Sequence, residues 1–233
     1  RGGKRGGIGG NVVIAIDGPA GTGKSTVARY VARHLGFLYV NSGALYRAVT
    51  WNVLERADDP DDPGQIVAAA RALRVYVDDG ALRIAGVEDD RSLYEHRIDS
   101  WVSRHSALPE VRETVNTELR ALSKGHDLVV EGRDIQTAVF PDAEVKVYLD
   151  AGVETRARRR FDQGFTDRSL EEIRAGIEAR DEDDRTKRTG ALRMAADAVY
   201  LDTSDLTIDE VCETVMDNIQ RQEYFQELQG NHE

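Results

Sequence analysis

The chain reads as an α/β protein, a parallel β-sheet covered by helices. Short apolar runs rich in β-branched residues recur at Val12–Ile16, Phe37–Val40, Leu128–Val130, Val145–Leu149 and Ala198–Leu201. Continuous apolar character of this kind marks strands buried on both faces. Helical patterns separate the runs, and strand and helix in alternation give parallel sheets. A glycine-rich turn joins the first run to the first helix.

Taken in order, residues 1–10 (RGGKRGGIGG) hold six glycines and three cations, with Ile8 the one apolar side chain. Such a segment cannot offset the entropy of ordering and is expected to be a flexible tail. The absence of an initial methionine implies upstream sequence, and no signal peptide is visible. After the glycine-rich turn, a helix is expected from Ser25 to Leu35. Beyond the Phe37–Val40 strand a second helix opens at Asn41–Arg47, with Ser42 placed to cap it. The acidic stretch Asp58–Pro63 reads as a solvated loop. Around the Asp-Gly turn at 78–80, Arg74–Val77 and Leu82–Ile84 alternate in character, which signals a hairpin. An antiparallel hairpin within a parallel chain marks an inserted subdomain, about residues 65–105.

Charge is densest between residues 150 and 193. Arg156, Arg159 and Arg160 share a helical face by spacing. Arg180–Gly190 is nearly all polar, reads as too hydrophilic for a core, and lies between two helical patterns. It is either a lid closing over phosphates, about 164–190, or a surface helix laced with ion pairs, which charge spacing alone favours. Near the end, Thr207 and Glu210 have capping-box spacing, and Ile208, Val211, Cys212, Val215, Met216 and Ile219 recur at helical intervals. Cys212 lies on that stripe and reads as a buried, inert thiol.

The 233 residues suffice for one large domain with a small insertion. A composition of 40% hydrophobic and 31% charged residues is that of a globular protein, and no apolar stretch approaches a membrane span. One cysteine excludes an internal disulfide, and five histidines show no metal-site spacing. A net charge of −11 argues against general nucleic-acid binding. Of 31 cations, 26 are arginines, whose planar fork suits phosphate and carboxylate; a compositional bias of the source genome would give the same count.

The strongest signal is Gly18-Pro19-Ala20-Gly21-Thr22-Gly23-Lys24-Ser25, which fills every fixed position of the phosphate-loop pattern G-x-x-x-x-G-K-S/T. Glycines let consecutive backbone N–H groups curl around an anion, and the following helix presents its unpaired amides and positive dipole end. Lys24 should bridge the terminal phosphates of a nucleotide, and Ser25 should complete the shell of a Mg²⁺ ion. No N-K-x-D-like guanine reader is present, which favours ATP. On the acceptor side, Arg133 and Asp134 lie just past a strand, where ligands bind in open α/β sheets. Taken alone, Arg47 reads equally as a ligand or a solvated helix residue.

These motifs, DGPAGTGKST (17–26), NSGALYR (41–47), LPEVR (108–112), EGRDIQTAVFPDA (131–143), VKVYLDA (145–151), RDEDDRTKR (180–188) and AADAVYLDTS (195–204), with the hairpin insertion, resemble those of bacterial-type cytidylate kinases, a nucleoside monophosphate kinase family. The similarity runs from about Val12 to beyond Val215. It implies a P-loop fold with a five-stranded parallel sheet, a nucleoside-monophosphate-binding insertion and a lid. The implied reaction is ATP with CMP or dCMP giving ADP with CDP or dCDP, in the presence of Mg²⁺. By position, residues 18–25 and Thr26 would hold ATP, with Arg156 and Arg160 as lid-side contacts. Ser42, Arg47, Ser103, Arg112 and Arg133 would surround the monophosphate together with Asp134, Arg180, Asp184 and Lys187. Of these, Arg47, Arg133 and Arg180 look like phosphate ligands and Asp184 a ribose partner, and Lys24, Arg133 and Arg180 would carry the transfer. A cytoplasmic monomer without membrane or nucleic-acid partners is expected.

Chemistry supports a cytosine reader in its own right: an N4 donor beside N3 and O2 acceptors complements one carboxylate and one guanidinium, supplied by Asp134 and Arg112. Asn41, Gln136, Lys187 and Ala191 depart from the usual family residues, aspartate, glycine, arginine and proline, and Arg188 stands next to Lys187 as a possible substitute. The alternatives are another small-molecule P-loop kinase, acting on UMP or a non-nucleotide acceptor, and a nucleotide-dependent binding module without catalysis.

Overall fold

The computed structural model describes residues 11–162 and 168–222. The expected tail at 1–10, and residues 164–167 of the expected lid, lie outside the described residues. Five strands form one parallel sheet, in the order β2 (Leu38–Asn41), β5 (Leu128–Gly132), β1 (Val13–Asp17), β6 (Val145–Asp150), β7 (Val199–Asp202). Alternate residues of each strand serve opposite faces. Val13 and Ala15 of β1 face a core shared with α2 (Ser42–Arg56), α3 (Pro63–Arg71) and α5 (Pro109–Ser123). Ile14 and Ile16 face a second core, filled by Val27, Ala28 and Val31 of α1 (Lys24–Leu35) and by Val211, Val215 and Ile219 of α8 (Ile208–Arg221). The apolar runs are continuous because both faces are covered. Cys212 is buried in this second core. No helix among the described residues is long and apolar enough to cross a membrane.

Helix starts follow local chemistry. Thr207 and Glu210 form a reciprocal capping box at α8, worth about 1 kcal/mol. Asp62, within the acidic stretch, accepts the Gln65 N–H at 2.9 Å and caps α3, with Pro63 in the first turn. At α2 the cap is Asn41, not Ser42: Asn41 has extended backbone, and its side chain accepts the Ala44 N–H at 3.2 Å. Ser42 is the first helical residue, so its hydroxyl is free to turn to β5 instead.

The hairpin pairs β3 (Val75–Asp78) with β4 (Ala81–Ile84). Its turn residues Asp79 and Gly80 both have positive φ, 48° and 71°, the geometry that matches strand twist. A 3₁₀ turn (Asp90–Tyr94) and α4 (His96–His105) follow, before α5.

The charged stretch corrects the sequence reading. Residues 170–186 form one helix, α7 (Leu170–Thr186), which absorbs Arg180–Thr186 and starts on a capping box at Ser169 and Glu172. It packs on α6 (Val153–Asp162) through Ala157, Ile173 and Ile177. Asp181 and Asp184 are buried, although the segment looked too hydrophilic for it. The arginines expected to share one face of α6 diverge: Arg156 is buried, Arg159 donates to the Thr203 carbonyl at 2.5 Å, and Arg160 is exposed. Arg156 makes the buried joint of the two helices. Its fork takes both oxygens of Asp181, at 3.0 and 2.5 Å, while Nε donates to the Ala151 carbonyl and Nη1 to that of Ala20.

Glu154 and Arg174 join the same helices through an exposed pair at 2.9 Å. Asp181→Ala strands a buried cation and should lower stability by about 3–5 kcal/mol, whereas Glu154→Ala should cost about 0–1 kcal/mol. Urea unfolding of the two variants measures the contrast, and equal losses would refute the brace.

Candidate active site

The cradle forms where β1 runs into α1. A Cβ on Gly18 would stand 2.0 Å from the Leu149 carbonyl oxygen of β6, so this close approach requires glycine. Gly23, left-handed at φ 90°, caps α1 without a side chain. The first amides of α1 therefore face the loop uncovered, an arrangement suited to an anion. Lys24 folds back into the loop, its Nζ donating to the Pro19 carbonyl at 2.6 Å, and Thr22 Oγ1 donates to the same oxygen at 3.1 Å. Burial, reinforced by the nearby charge of Arg133, lowers the Lys24 pKa to about 7. Ser25 and Thr26 are exposed in the first turn of α1.

The facing wall comes from the carboxyl end of β5 and from α7. Arg133 Nε donates to Asp184 Oδ2 at 2.8 Å, and Nη1 to the Gly18 carbonyl at 3.1 Å, which ties this wall directly to the cradle. Lys187 Nζ donates to the other Asp184 oxygen at 2.9 Å. Burial works to raise the Asp184 pKa, but the charges and hydrogen bonds of Arg133 and Lys187 outweigh it and hold the carboxyl below its usual value. Arg180 has an exposed side chain; protein crowding around its guanidinium, then the like charge of Arg133, depresses its pKa. The charges of Arg133 and Arg180 both help to lower the Lys24 pKa, and those of Glu131 and Asp17 oppose them.

Two further pairs complete the cleft. Arg112 of α5 donates to Asp134 Oδ2 at 2.5 Å and to the Ser106 carbonyl at 3.3 Å, with its guanidinium 5.2 Å from the Tyr46 ring centre. Arg47 of α2 donates to Asp99 Oδ1 at 2.6 Å and to the Leu93 carbonyl at 3.0 Å, and stacks 4.9 Å from the Tyr94 ring centre. Ser42 Oγ donates to the Glu131 carbonyl at 2.8 Å, fastening α2 to β5.

The structure thus gathers the cradle residues with Arg133, Arg180, Asp184 and Lys187, and sets the Arg112–Asp134 pair beside Arg133. Ser103 is exposed on α4, and Arg160 is exposed on α6; neither side chain joins this network among the described residues. Arg156 reaches the cradle from behind, through the Ala20 carbonyl, with its fork occupied by Asp181. Asp17, Asp99 and Asp181 escaped the sequence reading as site residues. Asp17 carried a signal, as the single charge ending an otherwise apolar strand. Asp99 carried none, since its pairing with Arg47 spans 52 positions.

Comparison with known proteins agrees with this geometry. A family model described as cytidylate kinase matches residues 14–221. A cytidylate kinase of Corynebacterium glutamicum is 42% identical over 210 residues, covering 87% of this chain and 91% of that protein. One from Mycobacterium avium is 43% identical over 220 residues, covering 91% and 96%, and one from Caldanaerobacter subterraneus subsp. tengcongensis is 40% identical over 213 residues, covering 90% and 95%. With the phosphate cradle, the arginine-lined wall and this similarity along almost the whole folded chain, the protein belongs to the cytidylate kinase family.

Proposed function

We propose that the protein transfers the γ-phosphoryl group of ATP to CMP or dCMP, giving ADP and the corresponding diphosphate. The observation that carries this is the Arg112–Asp134 pair standing beside Arg133, opposite the cradle. Asp134 has an oxygen left to accept from the cytosine N4 amino group, and Arg112 has donors left for N3 and O2. Uracil would bring its O4, an acceptor, against the carboxylate, leaving both groups unsatisfied.

Transfer needs no strong base, because the attacking CMP phosphate is already anionic. A loose transition state asks for alignment and charge neutralisation. Cradle amides hold the β- and γ-phosphates, Lys24 meets their oxygens, and Arg133, Arg180 and Arg47 supply positive charge along the line between donor and acceptor. Asp184 and the Gly18 carbonyl orient Arg133 from two sides, and Asp184 retains capacity for a ribose hydroxyl. Arg156 stiffens the cradle from behind. Mg²⁺ fits this donor set: Ser25 offers an exposed hydroxyl without a hydrogen-bond partner among the described residues. No group of three or more His, Cys, Asp or Glu side chains placed to hold a metal occurs among them, as suits an ion carried largely by nucleotide phosphates and water. When bound, it would screen charge on the transferring group.

ADP release measured with ATP and Mg²⁺ against CMP, dCMP, UMP, AMP and shikimate tests the reading. CMP or dCMP should lead, and Lys24→Ala should lower kcat by orders of magnitude with the fold intact; near-normal turnover in that variant overturns the role of Lys24. Asp134→Ala should shrink the CMP/UMP ratio of kcat/KM by roughly tenfold or more, equivalent to at least 1.4 kcal/mol of discrimination.

A further expectation follows from charge. At pH 8 the empty cradle holds Lys24 largely neutral, since its pKa is lowered to about 7, and a polyphosphate favours its charged form. ATP binding at pH 8 should therefore take up protons, on the order of one per site. Calorimetric titration in buffers of differing ionisation enthalpy reads the number; an enthalpy independent of buffer would refute it.

A further inference from the structure

Asp17 is the last residue of β1, and its side chain is fully buried at 0% exposure. A carboxyl in that position is costly unless something offsets the loss of water. Oδ2 accepts the Gln136 backbone N–H at 2.9 Å. Oδ1 is buried without a partner. Burial lifts the carboxyl pKa to about 7 against the pull of the Gln136 amide.

That amide belongs to the second residue of a five-residue π-helical turn, Ile135–Val139, which begins immediately after Asp134. The turn closes on the Asp134 carbonyl, which accepts the Ala138 N–H at 2.9 Å. Gln136 is also gripped through its side chain: Nε2 donates to the Val147 carbonyl at 3.1 Å, and Oε1 accepts the Ala195 N–H at 3.1 Å. Those grips reach β6 and the segment before β7. The grip from Asp17 comes from the residue bonded to Gly18, the first residue of the cradle.

We infer that Asp17 is a positioning residue for base recognition. By clamping the Gln136 amide it fixes the direction in which Asp134 leaves β5, and so holds the base-reading carboxylate in register with the phosphate cradle. The inference rests on the CMP reading above. It adds to that reading a physical link between donor and acceptor subsites, made through a backbone amide rather than through ligand.

Two variants of the full chain separate the clamp from a merely structural role. Asp17→Asn keeps an oxygen acceptor for the Gln136 amide, and Asp17→Val removes it while filling the space with a strand-favouring side chain. Asp17→Val should raise the CMP KM and lower the CMP/UMP ratio of kcat/KM, each at least tenfold, with the ATP KM within threefold of wild type. Asp17→Asn should stay within threefold of wild type in all three. A residue that only stabilised the fold would lower the melting temperature and leave the ratio unmoved, and that result overturns the inference. So does an equal rise in both KM values. Should Asp17→Val fail to fold, Asp17→Ser, too short to reach the Gln136 amide, takes its place.

A second readout needs no substrate. Hydrogen–deuterium exchange of the peptide spanning 133–139 should quicken in Asp17→Val and remain as in wild type in Asp17→Asn. Unchanged exchange in Asp17→Val refutes the clamp. If wild type does not phosphorylate CMP while the exchange result holds, the substrate reading fails and the clamp stands.

Discussion

Positive charge held partly out of water is what the rest of this structure has to accommodate. A cleft meant for polyphosphate must keep guanidinium and ammonium groups ready in a space that disfavours them, and desolvation already shows in the depressed pKa of Lys24. The fold answers with aspartates. Arg47 meets Asp99, Arg112 meets Asp134, Arg133 meets Asp184, and Arg156 meets Asp181. Each pair also joins two pieces of the chain: α2 to α4, α5 to the end of β5, the end of β5 to α7, and α6 to α7. Neutralising the cleft and assembling it are thus one task. This is why α7, a helix with little apolar surface, has a fixed place: besides Ile173 and Ile177, two of its carboxylates are seated on arginines that belong to the site.

The sheet was legible because its signal is local. Each buried strand is a run of apolar residues, and the five runs coincide with the observed strands to within a residue or two. The cradle was legible for the same reason, since its glycines, lysine and serine are consecutive. The buried seat of α7 was not, although a helix laced with ion pairs was one of the two readings of that stretch, because polarity along a chain says nothing about which charged side chain will find a partner. Asp181 and Asp184 look like their solvated neighbours until Arg156 and Arg133 are brought to them from 25 and 51 positions away. The capping of α2 was misjudged by one position. Both Asn41 and Ser42 can cap, and the choice is made by the Glu131 carbonyl, which draws the Ser42 hydroxyl towards β5. Ser103 and Arg160, placed in the site by resemblance, are exposed and apart from the network in this arrangement.

The Arg47–Asp99 pair carries a consequence for how ligands arrive. A guanidinium already matched by a carboxylate projects little field into solvent, and the chain as a whole is strongly acidic, with a net charge of −11. On the proposed reading, a phosphate reaching Arg47 would have to take the place of the Asp99 carboxylate and the Leu93 carbonyl, so binding there would be an exchange of partners. Diffuse attraction of the kind long polyanions depend on would count for little in such an exchange, and the fit of a compact phosphate for much. Selection by size and shape would in this way precede any contact with the base.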